Sequence, residues 1–150
     1  MLKNTAKYCK CEKITTFVLL NNRSYVNQVS VENFSSFCSR QIFSLIPGKG
    51  TLKSEHKTKK INGVSVLKTS VLFGANASGK SNLIKAIDFG QKLVLKATKS
   101  ESVIDYQKFR LNKEFKNKDS RIEYTIQHKN KNYAYGFVFD SDSIKEEWLY

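Results

Sequence analysis

Eight residues constrain this chain more than any others. Gly74-Ala75-Asn76-Ala77-Ser78-Gly79-Lys80-Ser81 fills every fixed position of the pattern G-x-x-x-x-G-K-[ST]. Such a loop needs its glycines because the backbone must curl until successive N–H groups point inward, forming an anion nest at the positive end of the following helix. Lys80 then reaches the β- and γ-phosphates of a nucleotide as a point charge, and the Ser81 hydroxyl is suited to coordinate Mg²⁺. By this chain's own residue frequencies, the pattern arises by chance less than about once in 100 such sequences. The residues predict a P-loop that holds the phosphates of a purine nucleotide.

A P-loop requires a strand before it and a helix after it. Val64 to Phe73 is apolar and β-branched, which predicts a strand that becomes fully buried near Val71-Leu72-Phe73, as central strands of parallel sheets are. Beyond Lys80, Leu83, Ile87, Val94 and Ala97 recur at steps that place them on one face of a long helix. Gly90 weakens that helix locally and is a natural place for a bend.

The upstream chain reads less clearly. Residues 1–27 have no clean periodicity, although Thr15 to Leu20 could form a strand, and they are read as an N-terminal extension. From Val29 the alternation of Val29, Val31 and Phe34 with Ser30 and Glu32 predicts a half-buried strand, followed by a second over Gln41 to Ile46. Pro47-Gly48-Lys49-Gly50 breaks the chain. The lysine-rich stretch Lys49 to Asn62 then reads as a solvated loop or hairpin ending in an Asn62-Gly63 turn.

Downstream, Arg121 to Gln127 sets Ile122, Tyr124 and Ile126 on one face, and Tyr133 to Phe139 does the same with Tyr133, Tyr135, Phe137 and Phe139. Lys129-Asn130-Lys131-Asn132 between them predicts an antiparallel hairpin. Asp140-Ser141-Asp142-Ser143 supplies another turn, so Ile144 to Tyr150 reads as the third strand of a meander.

With 150 residues, 40% of them hydrophobic, the chain holds enough apolar material for one ordinary core. No stretch approaches the roughly 20 apolar residues of a membrane span, and no apolar region follows the early lysines as in a secretory signal, so the expectation is a cytoplasmic protein with no membrane partner. Cys9, Cys11 and Cys38 are an odd count without framework spacing, read as free thiols. The net charge of +13 favours contact with anions such as nucleic acid, and residues 1–60 hold 11 basic against 3 acidic side chains.

Val71-Leu72-Phe73 followed by the loop and Asn82-Leu83 resembles the P-loop of the ABC-type, RecF/SMC-like ATPases, and within them the AAA15 and abortive-infection ATPase group. Val29 to Phe37 is similar to that family's opening strand and its Asn-Phe-Arg-Ser-Phe signature, with Ser35 where the family places a basic residue. Gln41 to Leu45 resembles its second strand. Phe109-Arg110-Leu111, Tyr133 to Phe137 and Ile144 to Tyr150 resemble its β-meander, so the likeness covers residues 28–150.

The resemblance implies an α/β P-loop NTPase (ABC ATPase-like) core joined to an antiparallel β-subdomain, ATP as the nucleotide, Mg²⁺ as the metal, and relatives that act in phage defence. The Walker B acidic pair, signature motif and switch histidine of the family are not found in this sequence. The expectation is therefore the N-terminal portion of an ATPase domain with an incomplete sheet, which binds nucleotide and hydrolyses it poorly alone. It would depend on a second ATPase chain or on a C-terminal half. A basic nucleic-acid-binding protein with a vestigial P-loop is the alternative. Phe137-Val138-Phe139-Asp140 is a weak Walker B candidate, because the same residues alternate as one arm of a hairpin.

Overall fold

The computed structural model describes residues 24–50, 53–96 and 104–150. In chain order these form β1 (Ser24–Glu32), β2 (Gln41–Ser44), a 3-10 turn at Ser54–His56, α1 (Lys80–Lys96), α2 (Lys113–Lys116), β3 (Ser120–His128), β4 (Lys131–Phe139) and β5 (Ile144–Leu149). The strands make one sheet in the order β2-β1-β3-β4-β5, antiparallel at every pairing. The Thr15–Leu20 strand expected from the sequence and the residues Cys9, Cys11 and Ala97 lie outside the described residues.

The period-two patterns translate directly into the sheet. Ile122, Tyr124 and Ile126 of β3 are buried together with Tyr135, Phe137 and Phe139 of β4. The register runs from Ser120 opposite Phe139 to His128 opposite Lys131. The turn is tighter than the sequence suggests: only Lys129 and Asn130 lie outside the strands, both with positive φ (43° and 63°). Two left-handed residues give the turn whose twist matches that of the flanking strands, so Lys131 and Asn132 join β4.

Strand β1 starts at Ser24 rather than Val29. It pairs with β3 along its whole length, but the register shifts between Val26 and Gln28. The bulge at Asn27 breaks the alternation that sequence periodicity relies on. Strand β2 ends at Ser44, short of the expected Ile46.

Helix α1 covers one face of this sheet. Ala86 is fully buried, and Leu83, Ile87, Phe89, Leu93 and Val94 pack against the core cluster that includes Val29, Val31, Ile122 and Tyr124. Gly90 serves close packing: a Cβ there would overlap the Tyr124 hydroxyl, which donates to the Ile87 carbonyl at 3.0 Å. The glycine costs helix propensity and lets a tyrosine dock flush on the helix. An aromatic cluster of Phe34, Phe89, Tyr106 and Phe139, with neighbouring centroids 4.7–6.0 Å apart, pins the segment after α1 to the sheet.

Residues 45–50 and 53–68 fold back on the end of the sheet where Ser24 faces His128. Leu45 N–H donates to the Asn27 carbonyl and Leu67 N–H to the Leu45 carbonyl, both at 2.8 Å. Gln127 Nε2 donates to the Val64 carbonyl at 3.3 Å, and Val66 is buried beneath. Of the solvated loop or hairpin expected over Lys49 to Asn62, the structure shows isolated bridges to the residues that follow, Lys57 with Leu67 and Ile61 with Val64.

The expected strand over Val64 to Phe73 is not formed. Val64 and Leu67 make single bridges, and Val71, Leu72 and Phe73 are 67%, 37% and 89% exposed. A strand exists only through the ladder it shares with a neighbour, and among the described residues no strand or bridge pairs with 69–73. Phe109-Arg110-Leu111 is likewise outside the sheet, with Leu111 exposed. The antiparallel part of the expected α/β fold is thus present, and among the described residues no strand pair is parallel.

Candidate functional site

The loop from Gly74 to Ser81 is a single continuous turn into α1. Gly74 and Ala75 contribute carbonyls, Asn76 and Ala77 make the bend, and Ser78 N–H closes it on the Ala75 carbonyl at 3.3 Å. Ala77 and Gly79 both take positive φ (61° and 92°). The Ala77 value is uncommon for a residue with a Cβ, and alternation of hand along the backbone is how N–H groups converge into a nest. Lys80 opens the helix and Ser81 sits exposed in its first turn. Asn82 and Leu83 N–H both donate to the Gly79 carbonyl, at 3.0 and 3.1 Å. The earlier N–H groups of a helix have no acceptor within it.

The Lys80 side chain folds back over its own loop. Its ammonium donates to the Gly74 carbonyl at 2.7 Å, the Ala75 carbonyl at 2.6 Å and Ser78 Oγ at 3.3 Å. All eight residues named from the sequence are brought together, with the cation held at the mouth by neutral oxygens. A phosphate competing for that ammonium would exchange dipoles for a full negative charge, a roughly twofold stronger class of hydrogen bond.

Two residues outside the motif also reach it. An ideal Cβ on Gly79 would lie 3.0 Å from Ser36 Oγ and 4.0 Å from the Phe37 ring, so the turn after β1 lies against the loop. That turn is held by Asn33, which is buried, has φ 50°, and donates through Nδ2 to the carbonyls of Phe115 (3.0 Å) and Lys118 (2.7 Å). Its own carbonyl accepts from Ser120 Oγ at 2.6 Å. Asparagine is suited to this left-handed position. Ser36 and Phe37 fall within the signature segment, but spacing alone does not bring them to Gly79. Ser35, in the place of the basic residue, donates its N–H to the Gln107 carbonyl at 2.6 Å.

Asp140 is occupied elsewhere. Its carboxylate accepts from the N–H groups of Asp142 (2.9 Å) and Ser143 (2.8 Å) and pairs with Lys145 at 2.8 Å. The Lys145 ammonium, then these N–H groups, pull its pKa down to about 2. It is the turn residue of the β4–β5 connection, as the hairpin reading had it. Glu147 accepts from the Tyr135 hydroxyl at 2.7 Å. Among the described residues, no group of three histidine, cysteine or acidic side chains is arranged to hold a metal ion. No helix among them is long and apolar enough to cross a membrane.

The sequence model of the family described as "AAA domain, putative AbiEii toxin, Type IV TA system" matches residues 70–150, which takes in the loop, α1 and the β3–β5 meander. No curated protein and no solved structure matches the chain. With more than half its length matched, the chain belongs to this family of P-loop ATPase domains.

Proposed function

We propose that Gly74 to Ser81 bind the phosphates of Mg·ATP and that the chain works as a nucleotide-binding half-site of an AAA15-like, ABC-type ATPase in abortive infection against phage. The observation that carries this reading is the Lys80 ammonium resting on loop carbonyls directly at the helix N-terminus. The residues fit the group. Gly79 and Ala77 give the nest its curvature, Lys80 supplies the mobile charge, and Ser81 offers a hydroxyl for the ion. AAA-type P-loop domains generally use ATP with Mg²⁺, and the bound ion would neutralise charge between the β- and γ-phosphates.

Turnover requires a carboxylate that orients water. Asp140 is committed to a turn and to Lys145. A second ATPase chain, or a C-terminal half, would supply that group. The test is a Mg·ATP titration of the purified chain beside Lys80→Ala, with released phosphate followed in the same samples. Loss of a charge-assisted contact of about 1.5–3 kcal/mol predicts roughly 10- to 100-fold weaker binding by the variant, without phosphate release by either. Binding indifferent to Lys80 sinks the proposal, and phosphate release that disappears in Asp140→Asn would reinstate Asp140 as a catalytic acid.

A further inference from the structure

Two lysine-rich turns far apart in sequence meet at one end of the sheet. Asn62 Nδ2 donates to the Asn130 carbonyl at 3.3 Å, which seats the Asn62-Gly63 turn beside the Lys129-Asn130 turn. All four of these residues have positive φ, between 43° and 83°, so both turns are tight. Lys59 and Lys60 lead into the first turn, Lys129 and Lys131 flank the second, and all four are exposed. Lys57 and Lys68 stand at the base, where Lys68 N–H donates to the His56 carbonyl at 3.0 Å.

Among the described residues, no ion pair neutralises that charge. Glu55 is the single acid between residues 45 and 68, and it lies near Lys53 and His56. Among the described residues no carboxylate pairs with Lys59, Lys60, Lys129 or Lys131. Like charges gathered by tertiary contact repel one another unless an external anion joins them. The tips also lack exposed large apolar side chains, the component that an interfacial membrane site needs beside its lysines.

The position matters as much as the charge. The joined turns cap the end of the sheet where Ser24 faces His128. The turn that touches Gly79 leaves the opposite, Glu32 end of β1. A nine-residue strand at about 3.3 Å per residue separates the two ends by roughly 30 Å. An anion held here is not the nucleotide of the P-loop.

We infer that the paired turns Lys59–Gly63 and Lys129–Lys131 form a docking surface for the phosphodiester backbone of nucleic acid, independent of the nucleotide loop.

The test is fluorescence anisotropy of the full chain with a labelled 20-mer, as duplex and as single strand, across a salt series. Three proteins are compared with the wild type: Lys59→Gln/Lys60→Gln/Lys129→Gln/Lys131→Gln, a control set Lys113→Gln/Lys116→Gln/Lys118→Gln, and Lys80→Ala. On duplex, the four-lysine variant should lower the slope of log K against log salt by up to about 3–4, near 0.9 per lost phosphate contact, and weaken binding at least tenfold at 0.1 M salt. The control set and Lys80→Ala should leave that slope within one unit of wild type. If the fourfold variant melts early, single Lys→Gln changes that each lower the slope by about one carry the same conclusion. Equal losses from the control set overturn the proposal, as does absence of salt-dependent binding to either nucleic acid. Preference for phosphatidylcholine vesicles containing phosphatidylserine over both would also overturn it, assigning the surface to membranes.

Discussion

The meander under α1 and the segment that leads into the P-loop are built from similar residues and end in opposite states. Phe137 and Phe139 are 1% and 0% exposed, and β4 pairs with β3 along its whole length and with β5 from Tyr135 to Phe139. Val71-Leu72-Phe73 is as apolar and stands open to solvent without a ladder among the described residues. The difference teaches that apolar, β-branched sequence declares a readiness to be buried. Whether it is buried depends on a partner strand contributed from elsewhere. In this molecule the stable framework lies in the meander, and the Gly74–Ser81 loop is mounted on it by α1 and by the turn after β1.

The sharpest way to break this comparison is to shorten one aromatic from each region. Phe137→Ala should cost about 3–5 kcal/mol of unfolding free energy, because it empties a packed core. Phe73→Ala should change stability by no more than about 0.5 kcal/mol, because its ring already faces water. Urea denaturation of the two variants reads both, and comparable losses would mean that 71–73 is buried in solution.

Next in size is the joint between the regions. Asn33→Ala removes two hydrogen bonds, to the Phe115 and Lys118 carbonyls, from a buried side chain and puts alanine at a left-handed φ, so about 2–3 kcal/mol should be lost. If the turn after β1 supports the loop at Gly79, ATP affinity of the folded variant should fall as well. An unchanged affinity would confine Asn33 to stability.

Gly90→Ala sets helix propensity against packing. Alanine favours the helix by about 1 kcal/mol, but its Cβ overlaps the Tyr124 hydroxyl, and forced overpacking costs about 1–3 kcal/mol. A net loss is expected, with partial recovery when Tyr124→Phe is added, since the hydroxyl is the atom in the way. A stabilised single variant would show that α1 sits further from the sheet.

The smallest effect is titrational. The folded pKa of Asp140 is depressed to about 2, below the usual value of about 3.9. Its contribution to stability is therefore present above pH 4 and disappears as pH falls through about 2. Asp140→Asn should remove that part of the acid dependence while leaving Mg·ATP binding unchanged. Weakened ATP binding would link this turn to the loop.

The sequence alone determined whatever depends on near neighbours. The turn from Gly74 to Ser81 is a local backbone conformation, so its bend into α1 could be read without a fold. The burial faces of β3 and β4 and the apolar face of α1 follow from periods of two and of about 3.6 residues. Tertiary structure decided the rest, because it concerns partners distant along the chain. The bulge at Asn27 hides the start of β1 from any periodicity. The seating of Tyr124 on Gly90 turns an apparent helix breaker into a packing site. The Asn62–Asn130 contact gathers lysines that the sequence scatters. Val71–Phe73 carries the pattern of a central strand, yet hydrogen-bond ladders are non-local, and no side-chain pattern can supply the strand that must lie beside it.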